Sequence, residues 1–142
     1  MLAVGARLVL FTALPEQMRG YWLNEYFPIA LARSMGQMPT EATLRQALGL
    51  AGFEKVAVEP WDVPDDLIDL FLYSGKNRPE LYLSERVREG ISTFALLAEP
   101  DEVAAGLARL GRDIRTGRID DVRARYAARD GDYAFVIAEQ KG

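Results

Sequence analysis

Residues 131–139, Gly-Asp-Tyr-Ala-Phe-Val-Ile-Ala-Glu, constrain the fold of this chain more than any other stretch. Successive side chains of a strand point to opposite faces, so Tyr133, Phe135 and Ile137 share one side and Ala134, Val136 and Ala138 the other. Both sides are apolar, and a strand with no polar face is ordinarily covered from above and below. The Asp130-Gly131-Asp132 run before it is turn chemistry, with Gly131 free to take the positive φ that a sharp entry needs. The pattern predicts a central strand over 133–139.

Two further segments qualify as its neighbours. Residues 7–12, Arg-Leu-Val-Leu-Phe-Thr, are again apolar on both faces. Residues 55–59, Lys-Val-Ala-Val-Glu, are less apolar and run into Pro60, which suits a sheet edge. Between them, Leu14-Pro15-Glu16 opens a predicted helix carrying Met18, Tyr21, Trp22, Glu25 and Tyr26 along one side, interrupted at Pro28. Ile29 to Met35 predicts a second short helical piece. Thr40 is an N-cap for a third helix with Leu44, Ala47, Leu48 and Ala51 at helical spacing, and Gly52 stops it. Strand, helix and strand at this spacing form a crossover unit, so 7–12 and 55–59 are predicted to run parallel.

Residues 62–128 read as a helical excursion within a single domain spanning 1–142. Asp65 to Leu72 predicts a helix with an acidic first turn, 73–79 a loop, and 84–97 a helix broken near Gly90. Pro100-Asp101-Glu102 opens an amphipathic helix through Val103, Leu107, Leu110 and Ile114 that ends at Thr116-Gly117. Asp120 to Ala128 predicts one more, packed through Val122 and Tyr126.

Composition removes whole classes of chemistry. The chain has no cysteine and no histidine, which excludes disulfides, thiolate nucleophiles, imidazole bases and the usual zinc ligand sets. Carboxylate pairs such as Asp65-Asp66 and Asp120-Asp121 look like helix starts, so no metal site is expected. A net charge of −4 argues against a nucleic-acid partner, and the arginines between Arg109 and Arg129 alternate with aspartates as on a solvated, ion-paired surface. The apolar runs are short of the ~20 residues of a membrane helix. Residues 1–5 lack the basic start and long apolar centre of a signal peptide, so a cytoplasmic location is expected.

The order of these elements, with three local stretches, resembles the C-terminal half of the class I S-adenosylmethionine-dependent methyltransferases of the small-molecule (type 11) kind. Val4-Gly5-Ala6-Arg7-Leu8-Val9-Leu10 is similar to the family's Pro-Gly-Gly-x-Leu turn and fifth strand. The stretch from Ala47 to Val56 resembles its junction of helix, Ala-Gly-Phe and strand, and 131–139 resembles its closing strand. The resemblance implies an α/β fold, the C-terminal half of a Rossmann-like domain. Its sheet would be mixed, with strand 133–139 antiparallel between parallel strands 7–12 and 55–59, alongside several helices. It also implies S-adenosyl-L-methionine as cofactor. The family holds that molecule on its first half, through a Gly-x-Gly-x-Gly turn and an acidic residue ending the second strand. This chain has no two glycines at that spacing, so no residue here is assigned to the cofactor, and Met1 would correspond to a point inside the family's domain.

In the family, the segments after the central strands face the methyl acceptor. By that resemblance Tyr21, Trp22 and Tyr26 would wall an acceptor pocket, with Tyr73 and Tyr82 of the excursion above it; packing is the ordinary alternative for each. Lys76 and Arg78, in a loop with Gly75, would hold a carboxylate or phosphate of the acceptor, or would simply be solvated. The absence of His and Cys is less damaging to methyl transfer than to hydrolysis, because placing the nucleophile in line supplies much of the acceleration.

Three functions follow as expectations. The first is a methyltransferase-family chain carrying the acceptor-side half, active on a small-molecule methyl acceptor only when the cofactor-binding half completes it. The second is a non-catalytic module that recruits a second chain, or dimerises, through the unpaired edge of strand 7–12. A complete small α/β enzyme of another kind is disfavoured, since neither a nucleophile–base pair nor a phosphate loop can be named.

Overall fold

A computed structural model describes residues 5–126 and 130–140. Three strands form its sheet: β1 (Arg7–Thr12), β2 (Phe53–Trp61) and β3 (Tyr133–Gln140), in the order β1-β3-β2. β3 lies in the middle and pairs antiparallel with both neighbours, Leu10 opposite Val136 on one side and Val58 opposite Val136 on the other. The two outer strands therefore run in the same direction but do not pair with each other. Every ladder among the described residues is antiparallel, so the sheet is not mixed, because the central position is taken by the reversed strand. β2 is longer than 55–59, includes Pro60, and has an irregular register between Phe53 and Lys55.

One face of this sheet is covered. Ala134, Val136 and Ala138 are buried, and Val136 and Ala138 form a small core with Leu8, Leu10, Val56 and Val58, closed by Leu44 and Leu48 of α3 (Glu41–Leu50). α3 begins where its cap predicts: Thr40 Oγ1 accepts from the Thr43 amide at 3.1 Å. The opposite face is open. Val9 and Phe11 are 52% and 44% exposed, and Phe135 and Ile137 beside them are half-buried. Cover on both faces, expected from the apolar pattern, is not what the described residues provide: they supply one helical layer for a strand built to be buried twice.

The main core lies beyond the strand ends and is aromatic. Tyr21, Trp22, Tyr26, Phe27, Tyr73, Tyr82 and Phe94 pack together with Leu31, Leu110 and Val122. The segment after β1 forms three pieces, not the two expected: α1 (Pro15–Met18) and a 3-10 turn (Trp22–Glu25) replace the first helix, and α2 (Pro28–Gly36) is the second. The break has a local cause. Asn24 Nδ2 donates to the carbonyls of Met18 and Tyr21, each at 2.8 Å, so its side chain takes acceptors that a continuous helix would use. α2 has no side-chain cap of its own; Glu102, from α5 (Pro100–Thr116), accepts from the amides of Ile29 (2.7 Å) and Ala30 (2.9 Å) and supplies it.

The helix expected over Asp65 to Leu72 does not form; that stretch is turn, bend and irregular backbone. Its backbone is claimed by side chains instead: Arg78 donates to the Leu67 carbonyl, Ser74 Oγ accepts from the Phe71 amide (2.7 Å) and Tyr82 Oη donates to the Leu72 carbonyl (2.7 Å). Ile68, which a helix would have to bury somewhere, is 89% exposed. The excursion continues with a 3-10 turn (Pro79–Leu83), α4 (Glu85–Glu89), a π turn (Thr93–Leu97), α5 and α6 (Arg118–Arg125). α6 begins directly after Gly117, two residues earlier than expected, and its predicted end at Ala128 lies outside the described residues. Glu25 pairs with Arg109 at 3.8 Å and Arg125 at 3.5 Å, so these arginines find a partner across the fold and not in the aspartates beside them.

Candidate active site

The carboxyl ends of β1 and β2 meet the start of β3 at one rim of the sheet, which is where α/β folds place ligands. Gln17 ties this rim together. Its Oε1 accepts from the Leu14 amide (3.1 Å), and its Nε2 donates to the carbonyls of Asp130 (3.0 Å) and Tyr133 (2.8 Å). Gly131 enters β3 at φ +79°, with a hypothetical Cβ only 2.7 Å from Pro60 Cβ, so both the turn and the close approach to β2 require glycine.

A cavity of about 290 Å³ opens at this rim, on the side of the uncovered sheet face. Phe11 from β1, Tyr133 from β3 and Phe71 from the excursion form its aromatic wall. Phe11 stacks on Tyr133 with centroids 5.1 Å apart at 19°, and Phe71 meets Tyr133 edge-on at 4.9 Å and 82°. Ser34, Met38 and Thr93 line it from the helical side, where Ser34 Oγ lies 3.1 Å from Thr93 Oγ1. None of its lining residues is charged.

Behind that wall the tyrosines form a hydrogen-bonded cluster. Tyr21 Oη donates to the Asp132 carbonyl, Tyr133 Oη accepts from the Tyr73 amide (2.9 Å), and Tyr73 Oη accepts from the Trp22 amide (3.0 Å). The rings of Tyr21 and Tyr73 are stacked, 3.8 Å between centroids. Burial pushes all of these phenols well above the ordinary tyrosine range, so each is neutral at physiological pH. The cluster is a rigid framework of neutral hydrogen-bonding groups, not a source of general bases.

The residues selected from sequence are thereby split. Tyr21, Tyr26 and Tyr82 are inside the core. Tyr26 Oη donates to Asp113 Oδ2 at 2.7 Å, and Tyr82 Oη accepts from the Gly75 amide at 3.1 Å, so their hydroxyls already have partners within the fold. Trp22, Tyr73 and Lys76 come together at a separate hollow of about 420 Å³ beside Asp120 and Arg123. Only small parts of Trp22 and Tyr73 reach its surface. Lys76 is paired with Asp132, Oδ2 at 2.7 Å, and Arg78 with the Leu67 carbonyl. A larger hollow, about 730 Å³, runs beside α3 and β2 and is lined by exposed opposing charges such as Arg7 and Glu139, 3.8 Å apart.

Sequence reasoning missed Phe11, Ser34, Met38, Thr93 and Tyr133 as lining residues. For Phe11 and Tyr133 a signal existed, since both lie at the rim where β1 ends and β3 begins. Ser34 and Thr93 meet only because α2 packs on the π turn.

No known family model matches the chain, and no curated protein does. Among solved structures it is similar to a protein of Anabaena variabilis ATCC 29413 described as a methyltransferase from an antibiotic biosynthesis pathway. The two share 31% identity over 93% of this chain, with a TM-score of 0.72. The fold is methyltransferase-like. The chain spans 54% of the length of that protein. No helix among the described residues is long and apolar enough to cross a membrane, and no group of three acidic side chains there is placed to hold a metal ion.

Proposed function

We propose that this chain is the acceptor-side half of a class I S-adenosylmethionine-dependent methyltransferase of the small-molecule kind, active when a cofactor-binding half covers its open sheet face. The similarity to the Anabaena protein carries this reading: it extends over 93% of this chain and only 54% of that one. The open face fits the same picture, because Val9 and Phe11 stand exposed on β1, where such a half would pack.

The described residues that line the rim cavity do not fit the cofactor by themselves. The cavity at the rim offers no carboxylate for a ribose diol, and the glycines with positive φ, Gly5, Gly52, Gly117 and Gly131, are isolated turn residues and not a phosphate- or ribose-approaching loop. No step of the reaction is therefore assigned to groups of this chain acting on the cofactor. What the chain contributes is position. The Phe11–Phe71–Tyr133 wall orients an acceptor and excludes water, and the tyrosine cluster behind it holds that wall rigid. Tyr21, Tyr26 and Tyr82 support the site from within, while Trp22, Tyr73, Lys76 and Arg78 belong to its surroundings.

Calorimetry with S-adenosylmethionine tests this. The chain alone is expected to show no micromolar binding, and methyl transfer is expected when it is co-expressed with the part of the Anabaena protein outside the shared fold. Micromolar affinity in the isolated chain would overturn the assignment.

A second reading has its own support. The outer edge of β1 pairs with no strand among the described residues, and two large apolar side chains are exposed along it. Such an edge suits a non-catalytic module that recruits a second chain or a second copy through 7–12. Stable association without methyl transfer in the co-expressed pair would favour it.

A further inference from the structure

Resting on the methyltransferase reading, we infer that the cavity at the carboxyl end of β1 takes its acceptor as an uncharged, planar aromatic molecule, not as a carboxylate, phosphate or cation. The lining of the cavity draws on β1, α2, the excursion and β3, and it presents rings, thioethers, methyl groups and hydroxyls but no ionised side chain. An anion entering such a site loses its water with no cation to replace it, which is among the costliest events in a protein interior.

The two cations that sequence reasoning reserved for an anionic acceptor are not available to the cavity. Lys76 faces the buried Asp132 carboxylate and Arg78 the Leu67 carbonyl, and neither residue lines it. Its polar groups are hydroxyls. Ser34 Oγ and Thr93 Oγ1 share a single hydrogen bond, so between them they retain a donor or acceptor for one hydroxyl or carbonyl of a ligand.

A cation is disfavoured because no carboxylate lines the cavity to offset its lost hydration. Phe11, Phe71 and Tyr133 already pack ring against ring. A flat apolar molecule can extend that packing by adding one more ring to it. At about 290 Å³ the cavity is at the small end for small-molecule sites, roughly one or two rings.

Three probes separate the charge classes: 2-naphthol, 6-hydroxy-2-naphthoate and phenyltrimethylammonium, each titrated into the 15N-labelled chain without cofactor. The naphthol is expected to give saturable shifts at the amides of Thr12, Ser34, Phe71 and Thr93, with the other two binding at least about tenfold more weakly. Ser92 stands exposed at the cavity rim and makes no capping hydrogen bond, so Ser92→Lys adds a cation there without breaking a helix cap. In that variant the naphthoate should bind within about threefold of the naphthol. Equal or tighter binding of either charged probe to the unmodified chain overturns the inference, as does the absence of saturable naphthol shifts at those amides. Because no cofactor is present, this result is independent of the complementation experiment. If complementation fails while naphthol binds selectively, the methyltransferase reading falls and the selectivity of the cavity stands.

Discussion

Lys76 Nζ lies 2.7 Å from Oδ2 of Asp132, a carboxylate with no exposed surface. The same oxygen accepts from the Val63 amide at 2.8 Å, while Oδ1 has no hydrogen-bond partner among the described residues. The Lys76 side chain is 24% exposed, so it bridges solvent and a charge held just inside β3. Its role is to neutralise Asp132 and join the excursion to the closing strand.

Removing the cation leaves the buried charge unpaired. Lys76→Met is expected to destabilise the fold by about 3 kcal/mol, read as a lowered urea midpoint. The double variant with Asp132→Asn should recover part of that loss, since the unpaired charge is then gone. A Lys76→Met protein as stable as the parent would show that this lysine is free for another purpose.

Gly106 is where α5 meets the aromatic core. A Cβ there would stand 2.5 Å from Phe27 Cε1 and 2.5 Å from the Tyr26 carbonyl oxygen, and the second contact is backbone that cannot swing away. Gly106→Ala should therefore cost about 1–3 kcal/mol through overpacking, despite the roughly 1 kcal/mol that alanine gains over glycine inside a helix. Thermal melting of the variant checks this. An unchanged or raised Tm would mean that α5 can shift away from Phe27.

The exposed row on β1 predicts self-association. The chain alone should show a mass that rises with concentration in light scattering, and Val9→Lys, placing a charge on a residue 52% exposed, should reduce it. A strictly monomeric parent would count against this face as a docking surface.

All six tyrosines have pKa values raised first of all by burial. In the unfolded chain they ionise near pH 10, whereas the folded state holds them protonated to higher pH. The folded state then binds more protons, so stability is intact below about pH 10 and falls as pH rises above it. Tyrosinate absorbance near 295 nm should appear together with loss of helical circular dichroism, in one transition. Tyrosinate forming well before unfolding would contradict the buried cluster.

The strand segments, the α3 cap at Thr40 and the amphipathic α5 were legible because each depends on residues adjacent in sequence. An apolar alternation specifies a strand wherever it lies, and a Thr at an N-cap acts on an amide three residues away. The helix expected over Asp65 to Leu72 failed because the deciding groups, Arg78 and Tyr82, sit ten or more residues downstream. The expected site residues are divided between the core and a separate hollow for a related reason. Aromatic residues near one another in sequence suggested a pocket wall, but whether a ring faces a cavity or the core depends on which helices pack over it.

The sequence by itself determined that 133–139 would be a central strand, that catalysis could not use imidazole or thiolate, and that Gly131 would turn the chain into β3. Those follow from side-chain chemistry and local backbone freedom. The tertiary structure alone decided that one face of its sheet stands open and that Phe11, Phe71 and Tyr133 meet at its rim. Alternation shows that a face is apolar; only the packing of distant elements determines what covers it.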